Sequence, residues 1–390
     1  MRGPLKIMIS AGEASGDRLG AELARAVRAL RPDAELLGMG GPEMAAAGVR
    51  IVQDAAAVSV VGFVEVLAHL GEIRGAMARL EATLREERPD VLVPIDFPDF
   101  NLRLAARAGR AGVDVCYYVS PQVWAWRKGR VRAIRKLVRR MLVLFPFESA
   151  FYEAAGVAVT FVGHPVVERV PERPARPELL AGVGLDPGRP VVALAPGSRK
   201  GEIGRVLPPM LDAARILRAD RPELQFLISR AGSLDEGFVE DLVGRAGLGA
   251  GVAVHEGDYP EILRGCAAGA VASGTATLEA AMAGLPMVVV YRMAAVSYSI
   301  ARWFVRLDHV AMPNLVAQRR VVPEHIQGEC TGPRIAASLA AYLDDPERAE
   351  RVRADLAEVR ARLGEGGGSA RAAAAVVDVA ERSREPGRDA

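Results

Sequence analysis

Short, nearly unbroken apolar runs recur along the chain, separated by longer stretches in which apolar residues return every three or four positions. KIMIS, ELLGMG, VLVPID, VCYYVS, MLVLFP and VTFVG occupy the first half; VVALAPG, LQFLIS, VAVHEG, GAVASG and PMVVVY occupy the second. Runs of roughly four to eight residues without polar alternation suit strands buried on both faces, and the amphipathic stretches have the length of covering helices. The pattern predicts an α/β protein of two doubly wound, Rossmann-like domains facing a cleft lined by the carboxyl ends of both sheets. Residues 1–167 form the first domain and 191–363 the second. Between them, residues 168–190 carry prolines 171, 174, 177, 187 and 190, which block regular pairing and predict a linker. After Thr331 the pattern is helical, broken at 364–368, so that 364–390 form a terminal helix and frayed tail. These terminal helices either pack back across the first domain or exchange with a partner subunit in a homodimer.

Composition narrows the function classes. With 390 residues, half apolar and a quarter charged, the chain can bury two ordinary cores. A net charge of +2 gives no whole-molecule field for nucleic acid. Cys116, Cys266 and Cys330 are far apart and indicate neither disulfides nor a metal, which fits a reducing, cytoplasmic compartment. MRGPLKIMISAGE leads straight into a strand and lacks the features of a signal peptide. No window holds about eighteen uninterrupted apolar residues, so the expectation is a chain without a spanning helix but with surface attachment open. No His/Asp/Glu cluster has ligand spacing; no metal and no cofactor are expected.

The chemistry is expected at strand ends. In ASGTATLEAAMAGLPMVVVYR, residues 272–292, a strand end is followed by a turn and a helix start whose amides at Gly274, Thr275 and Ala276 can hold phosphate oxygens. Glu279, one turn in, can accept hydrogen bonds from two ribose hydroxyls; the alternative is an ordinary crossover with a surface glutamate. APGSRKGEIGR follows VVALA, and there Gly197 and Ser198 permit close backbone approach while Arg199 can fork onto a diphosphate, unless this too is a turn with surface charges. No GxxxxGK[ST] loop occurs, and no GxGxxG follows the first strand, which weakens kinase and dehydrogenase readings.

In the first half, GEASGD (12–17) follows KIMIS, its small residues Gly12 and Ser15 admitting substrate to the backbone, with Glu13 and Asp17 facing the cleft or capping the helix. Asp96 ends a strand expected to be central, where desolvation raises a carboxylate's proton affinity toward that of a general base; a structural role is the alternative. Asp99 is expected to cap the helix that follows, and it stays open as the base. His164, in VGHPVV, ends another strand and is either a ligand contact or a loop residue.

YYVSPQVWAWRKGRVRAIRKLVRR carries eight basic residues and no acidic one between Arg127 and Arg140, preceded by Trp124 and Trp126. Such a helix suits an anionic membrane surface or a phosphorylated, acylated substrate; a solvated crossover face is the plain alternative. Nucleic acid is not expected, because no second patch with stacking aromatics supports it. VSVVGFVEVLAHLGEIRGAM (58–77) and YRMAAVSYSIARWFVRLDHVAMPN (291–314) are amphipathic and aromatic; either can present an apolar face to lipid, though core packing is the favoured role of the first.

In order, GEASGD, GFVEVL, IDFPDFNL, YYVSPQVWAWR, FPFE, VGHP, PGSR.GEI, SGTATLE and YRM...MPNL resemble the lipid-A-disaccharide synthase family over most of the chain. The resemblance implies a GT-B fold and an inverting glycosyl transfer of 2,3-diacylglucosamine from its UDP derivative to 2,3-diacylglucosamine 1-phosphate (lipid X). It implies Asp96 as the base for the acceptor 6-hydroxyl, and Arg199 with the Gly274 helix start as stabilisers of the leaving UDP. Glu279 matches the ribose-holding position. Gly197, Ser198, Thr275 and Asn314 fall in donor motifs, and Gly12, Glu13, Ser15, Trp126, Arg127 and His164 in acceptor or cleft motifs. Two lipid substrates imply a peripheral protein at the inner face of the inner membrane. The chain carries Lys200 after Arg199, an added charge with no assigned effect on the donor. Competing readings are another GT-B UDP-sugar enzyme, such as the transferase of a lipid-linked peptidoglycan precursor or a UDP-sugar 2-epimerase, and an inert membrane-docked nucleotide-sugar sensor.

Overall fold

The computed structural model describes residues 3–58, 70–121, 130–232, 234, 237–257, 259–293 and 309–385. The chain divides into two compact units, residues 1–165 with 364–390, and residues 166–363.

The first unit alternates β1 (Lys6–Ala11), α1 (Ala14–Leu30), β2 (Glu35–Gly40), α2 (Pro42–Ala46), β3 (Arg50–Asp54), α3 (Leu70–Glu87), β4 (Val91–Ile95), α4 (Pro98–Arg110), β5 (Asp114–Tyr118), α5 (Val131–Leu137), β6 (Arg140–Val143), α6 (Pro146–Ala154) and β7 (Val159–Phe161). The strands form one parallel sheet in the order β3-β2-β1-β4-β5-β6-β7. Alternate residues of each strand feed two cores, as a period of two demands. Ile7, Ile9, Val91, Val93 and Ile95 meet α1 on one face, while Met8, Leu92, Tyr117 and Met141 meet α3, α4 and α5 on the other.

The second unit contains α7 (Val166–Arg169), α8 (Pro177–Gly182), β8 (Val191–Ala195), α9 (Lys200–Asp220), β9 (Gln225–Ser229), α10 (Phe238–Ala246), β10 (Val252–His255), α11 (Tyr259–Leu263), β11 (Ala268–Ala272), α12 (Thr275–Met282), β12 (Met287–Tyr291), α13 (Met312–Ala317), β13 (Glu324–Ile326), α14 (Gly332–Leu343) and α15 (Pro346–Arg362). Its parallel sheet runs β10-β9-β8-β11-β12-β13. The proline-rich stretch read as a linker packs with this unit. Arg264 donates to the carbonyls of Pro171 (2.5 Å) and Arg173 (3.2 Å), and Arg360 to those of Val170 (2.8 Å) and Val167 (3.3 Å). Prolines leave unpaired carbonyls, and long guanidinium side chains can gather several of them at once.

The last helix, α16 (Gly368–Ser383), packs back on its own chain. Ala372, Ala373, Val376, Val379 and Ala380 join the α1-side core of the first sheet. Arg384 pairs with Asp90 at 2.7 Å, and Arg140 with Asp378 at 3.0 Å.

Candidate active site

Each sheet reverses its strand order once, between β1 and β4 in the first unit and between β8 and β11 in the second. At such a point the loops leaving two neighbouring strands diverge to opposite faces and leave a crevice at the strands' carboxyl ends. Of the residues singled out in the sequence, Gly12, Glu13, Asp96, Gly197, Ser198, Gly274 and Thr275 fall at these two places.

In the first unit, Gly12 and Glu13 leave β1 and Asp96 and Phe97 leave β4. Asp96 and Phe97 have positive φ, 45° and 48°. For residues other than glycine that conformation costs about 1–3 kcal/mol each, so the surroundings must enforce it. Hydrogen bonds do so: the Asp96 carbonyl accepts from Asn101 Nδ2 at 2.9 Å and from the Tyr117 hydroxyl at 2.7 Å, and the Asp96 amide donates to the Tyr118 carbonyl at 3.1 Å. With its carbonyl drawn inward, Asp96 turns an exposed side toward solvent. Crowding of its carboxyl by protein atoms first, and the neighbouring Glu13 carboxylate second, nonetheless raise it to about 6. An accessible carboxylate that titrates near neutrality is suited to accept a proton from an alcohol. A Cβ on Gly12 would lie 2.4 Å from the Phe97 ring, so glycine there lets the ring close over the loop.

Other first-unit expectations change. The helix after Asp96 starts at Pro98 with Phe97 as N-cap, so Asp99 does not cap it; Asp99 sits in the first turn, largely exposed, 2.5 Å from Arg130. Asp17 caps α2 instead of its own helix, accepting from the amides of Gly41 (2.6 Å), Glu43 (3.0 Å) and Met44 (3.1 Å). Glu13 is the half-buried N-cap residue of α1, and Ser15 is exposed beside it. His164 follows β7, its ring centroid 5.2 Å from that of Phe145. Trp126 and Arg127 lie outside the described residues, as do 59–69 and 294–308 of the two amphipathic segments.

In the second unit, a cavity of ≈ 520 Å³ opens at the carboxyl ends of β8 to β11 and is lined by Gly197, Ser198, Gly274, Thr275 and Glu279, among others. Gly197 has φ of +101°, and a Cβ there would meet Glu202 Oε2 at 2.5 Å, so a glycine is required twice over. Gly274 precedes α12, whose first-turn amides are of the kind a helix leaves without internal partners. Thr277 fixes that turn by donating from Oγ1 to the Gly274 carbonyl at 2.7 Å. Arg199, the N-cap residue of α9, is exposed and lies outside the cavity lining. Lys200 rests over the Phe238 ring, 5.1 Å from its centroid, which occupies the charge that the sequence left unassigned.

Sequence reasoning missed part of this lining. Glu202, Arg230, Glu256 and Tyr259 also face the cavity. Arg230 bridges Glu240 (3.2 Å) and Glu256 (2.7 Å). Burial pushes the Glu202 carboxyl up, partly offset by Arg199. The Tyr259 hydroxyl is buried without a hydrogen-bond partner among the described residues. Ser229–Arg230 and Glu256–Gly257 follow β9 and β10, so asking what ends every strand would have found them. The lining holds three carboxylates, Glu202, Glu256 and Glu279, so an anion bound there would need the α12 amides and nearby cations to offset them.

Asn314, expected to touch the donor, is fully buried and occupied within the fold. Its Oδ1 accepts from the amides of Val321 (2.7 Å) and Val322 (2.9 Å), and Nδ2 donates to the Val322 carbonyl (2.9 Å) and Glu324 Oε1 (2.8 Å). Glu324 also accepts from the Val310 and Ala311 amides, and Val310 in turn accepts from Ser273 Oγ at 3.4 Å. Ser273 lines the cavity, so Asn314 reaches it through this chain of bonds.

Residues 7–377 match the family described as lipid-A-disaccharide synthetase. The chain belongs to this family. It is similar to the lipid-A-disaccharide synthase of Geobacter metallireducens, 48% identical over 97% of this chain and 98% of that one. The Myxococcus xanthus lipid-A-disaccharide synthase is 45% identical over 97% and 98%. Among solved structures, the UDP-GlcNAc 2-epimerase of Neisseria meningitidis bound to UDP-GlcNAc superposes with TM-score 0.64 at 12% identity, covering 96% of this chain and all (100%) of that one. The kitacinnamycin glycosyltransferase does so with TM-score 0.63 at 20% identity, covering 97% and 99%. At these identities the structures establish the GT-B fold alone. As a lipid-A-disaccharide synthetase family member the protein is a glycosyltransferase, and neither the rival UDP-sugar enzymes nor an inert sensor is favoured. Among the described residues, no helix is long and apolar enough to cross a membrane.

Proposed function

We propose that the protein transfers 2,3-diacylglucosamine from its UDP derivative to 2,3-diacylglucosamine 1-phosphate, with inversion, releasing UDP. Asp96 takes the proton of the acceptor 6-hydroxyl as that oxygen attacks the anomeric carbon from the side opposite UDP; the bond to the diphosphate oxygen breaks and the electron pair leaves with it. In the second unit, the α12 start receives the diphosphate and Glu279 the ribose hydroxyls, while Arg199 reaches the phosphates from the α9 N-terminus. The observation that carries this reading is the accessible Asp96 carboxyl with its proton affinity raised to about 6, in a chain whose second unit holds a glycine-edged cavity at a helix start.

The lipid nature of both substrates favours work at an anionic membrane surface. Val131 and Ala155 line a hollow of ≈ 550 Å³ with Arg132, Arg135 and Lys136, an apolar lining among cations that suits lipid head groups and the upper acyl chain. UDP release measured with acylated donor, with and without lipid X, tests the whole reading. Acceptor-dependent release by wild type and none by Asp96→Ala is expected; equal turnover in Asp96→Ala would remove the base.

A further inference from the structure

Asn101 joins the carboxyl ends of the two strands that carry the first-unit carboxylates. Its Nδ2 is within 3.2 Å of the Ser10 carbonyl on β1, 3.2 Å of the Ile95 carbonyl on β4 and 2.9 Å of the Asp96 carbonyl. Ser10 Oγ donates to Asn101 Oδ1 at 2.7 Å, which fixes the amide's orientation. Both side chains are fully buried, so no water competes for these bonds. Tyr117, also fully buried, holds the same Asp96 carbonyl from β5. A generic buried asparagine would satisfy whatever backbone lies near it. This one is aimed at the step where two successive non-glycine residues have positive φ, a conformation that they leave unless held.

We propose that Asn101, assisted by Tyr117, is a positioning residue for the transfer: the pair keeps the Asp96 carbonyl turned inward and so presents the Asp96 carboxyl outward to the acceptor hydroxyl. The inference rests on Asp96 being the base. Without the two bonds, Asp96 and Phe97 relax toward negative φ, the carbonyl swings out, and the carboxyl loses its orientation and its crowded surroundings. Among the described residues, the charged or titratable groups around that carboxyl are Glu13 at the N-cap of α1, Asp99 with Arg130 at the N-cap of α5, and the Tyr117 phenol itself.

The test compares wild type, Tyr117→Phe, Asn101→Ala and Asp96→Ala in the UDP-release assay, with folding checked by circular dichroism. Tyr117→Phe removes one hydroxyl and keeps the ring, so it decides alone if Asn101→Ala does not fold. The expected result is a fall in kcat of about 10- to 100-fold for a misplaced base, with donor KM within about twofold because the donor residues are untouched. The acid limb of kcat/KM, near 6 in wild type, should move down as the carboxyl gains water. Asp96→Ala inactive, with folded Tyr117→Phe and Asn101→Ala keeping both wild-type kcat and the wild-type acid limb, overturns the positioning role and leaves the base in place. Normal turnover by Asp96→Ala overturns the base, and this inference with it.

Discussion

The two switch points solve the same topological problem with opposite backbone chemistry. In the second unit the loop leaving β8 and the turn before α12 use glycines, Gly197 and Gly274, where φ is positive. In the first unit the positive φ angles after β4 fall on Asp96 and Phe97. A site that works with backbone amides can use the residue with least side chain, since bareness is what lets a phosphate approach. A site that works through a carboxyl has no such freedom, and it holds a strained residue with buried hydrogen bonds instead. The first solution tolerates small shifts; the second depends on a few atoms of Asn101 and Tyr117.

The contrast extends to how each unit is assembled, and there the largest effect is expected. Removing residues 364–390 takes Val376, Val377 and Val379 from the first core, each worth roughly 1.5–3 kcal/mol when fully buried, against a net domain stability of only about 5–15 kcal/mol. The truncated chain should lose the first unit's cooperative melting transition and all transfer activity while still binding UDP in titration calorimetry. Loss of UDP binding as well would show that the units do not stand apart.

Next in size is Asp96→Ala, expected to lower kcat by about 10²–10⁴-fold, the usual contribution of a general base, with UDP affinity within twofold. Glu279→Ala should do the reverse, weakening UDP by roughly tenfold, as loss of hydrogen bonds to a charged acceptor would, with a smaller effect on kcat. If both variants affected both quantities equally, the assignment of one role to each unit would fail.

A smaller effect is the pH dependence. Because the Asp96 carboxyl is raised to about 6, kcat/KM should fall tenfold per unit once the pH drops below that value, as the base becomes protonated. The same shift bears on stability in the opposite sense. A carboxyl that binds its proton more tightly folded than unfolded stabilises the fold below the unfolded value of 3.8, and that contribution is lost as pH rises through about 6. Asp96→Asn should therefore melt slightly higher than wild type at pH 7.5, a gain that shrinks by pH 4 in thermal scans. An unchanged or lower melting temperature at pH 7.5 would mean that the surroundings of Asp96 do not disfavour the charge.

Much of this was legible in the chain, for reasons that differ by residue. Eleven apolar runs announced strands, but β3 (RIVQD) and β13 (EHI) were missed because edge strands keep polar residues and need no apolar run. Asp96, Gly197 and Gly274 were visible because each follows closely on a buried run, and Glu279 because it stands one turn into the helix after one. Arg230, directly after β9, stood where the same rule would have found it, whereas Tyr259 at the start of α11 breaks no pattern and only the folded cavity places it with Glu279. Asn314 was read as a ligand contact although its partners lie up to ten residues away across a turn, and no spacing rule encodes that. Asp99 was assigned a cap that its helix, starting one residue earlier at Pro98, does not ask of it.

The return of α16 to the first sheet also sets an order of events during synthesis. The opening 165 residues leave the ribosome without the helix that covers one face of their sheet, and that helix is made only after the whole second unit. The second unit, encoded without interruption, can finish while the first still exposes apolar surface. Newborn chains of this protein are therefore expected to need shielding by chaperones until α16 has emerged.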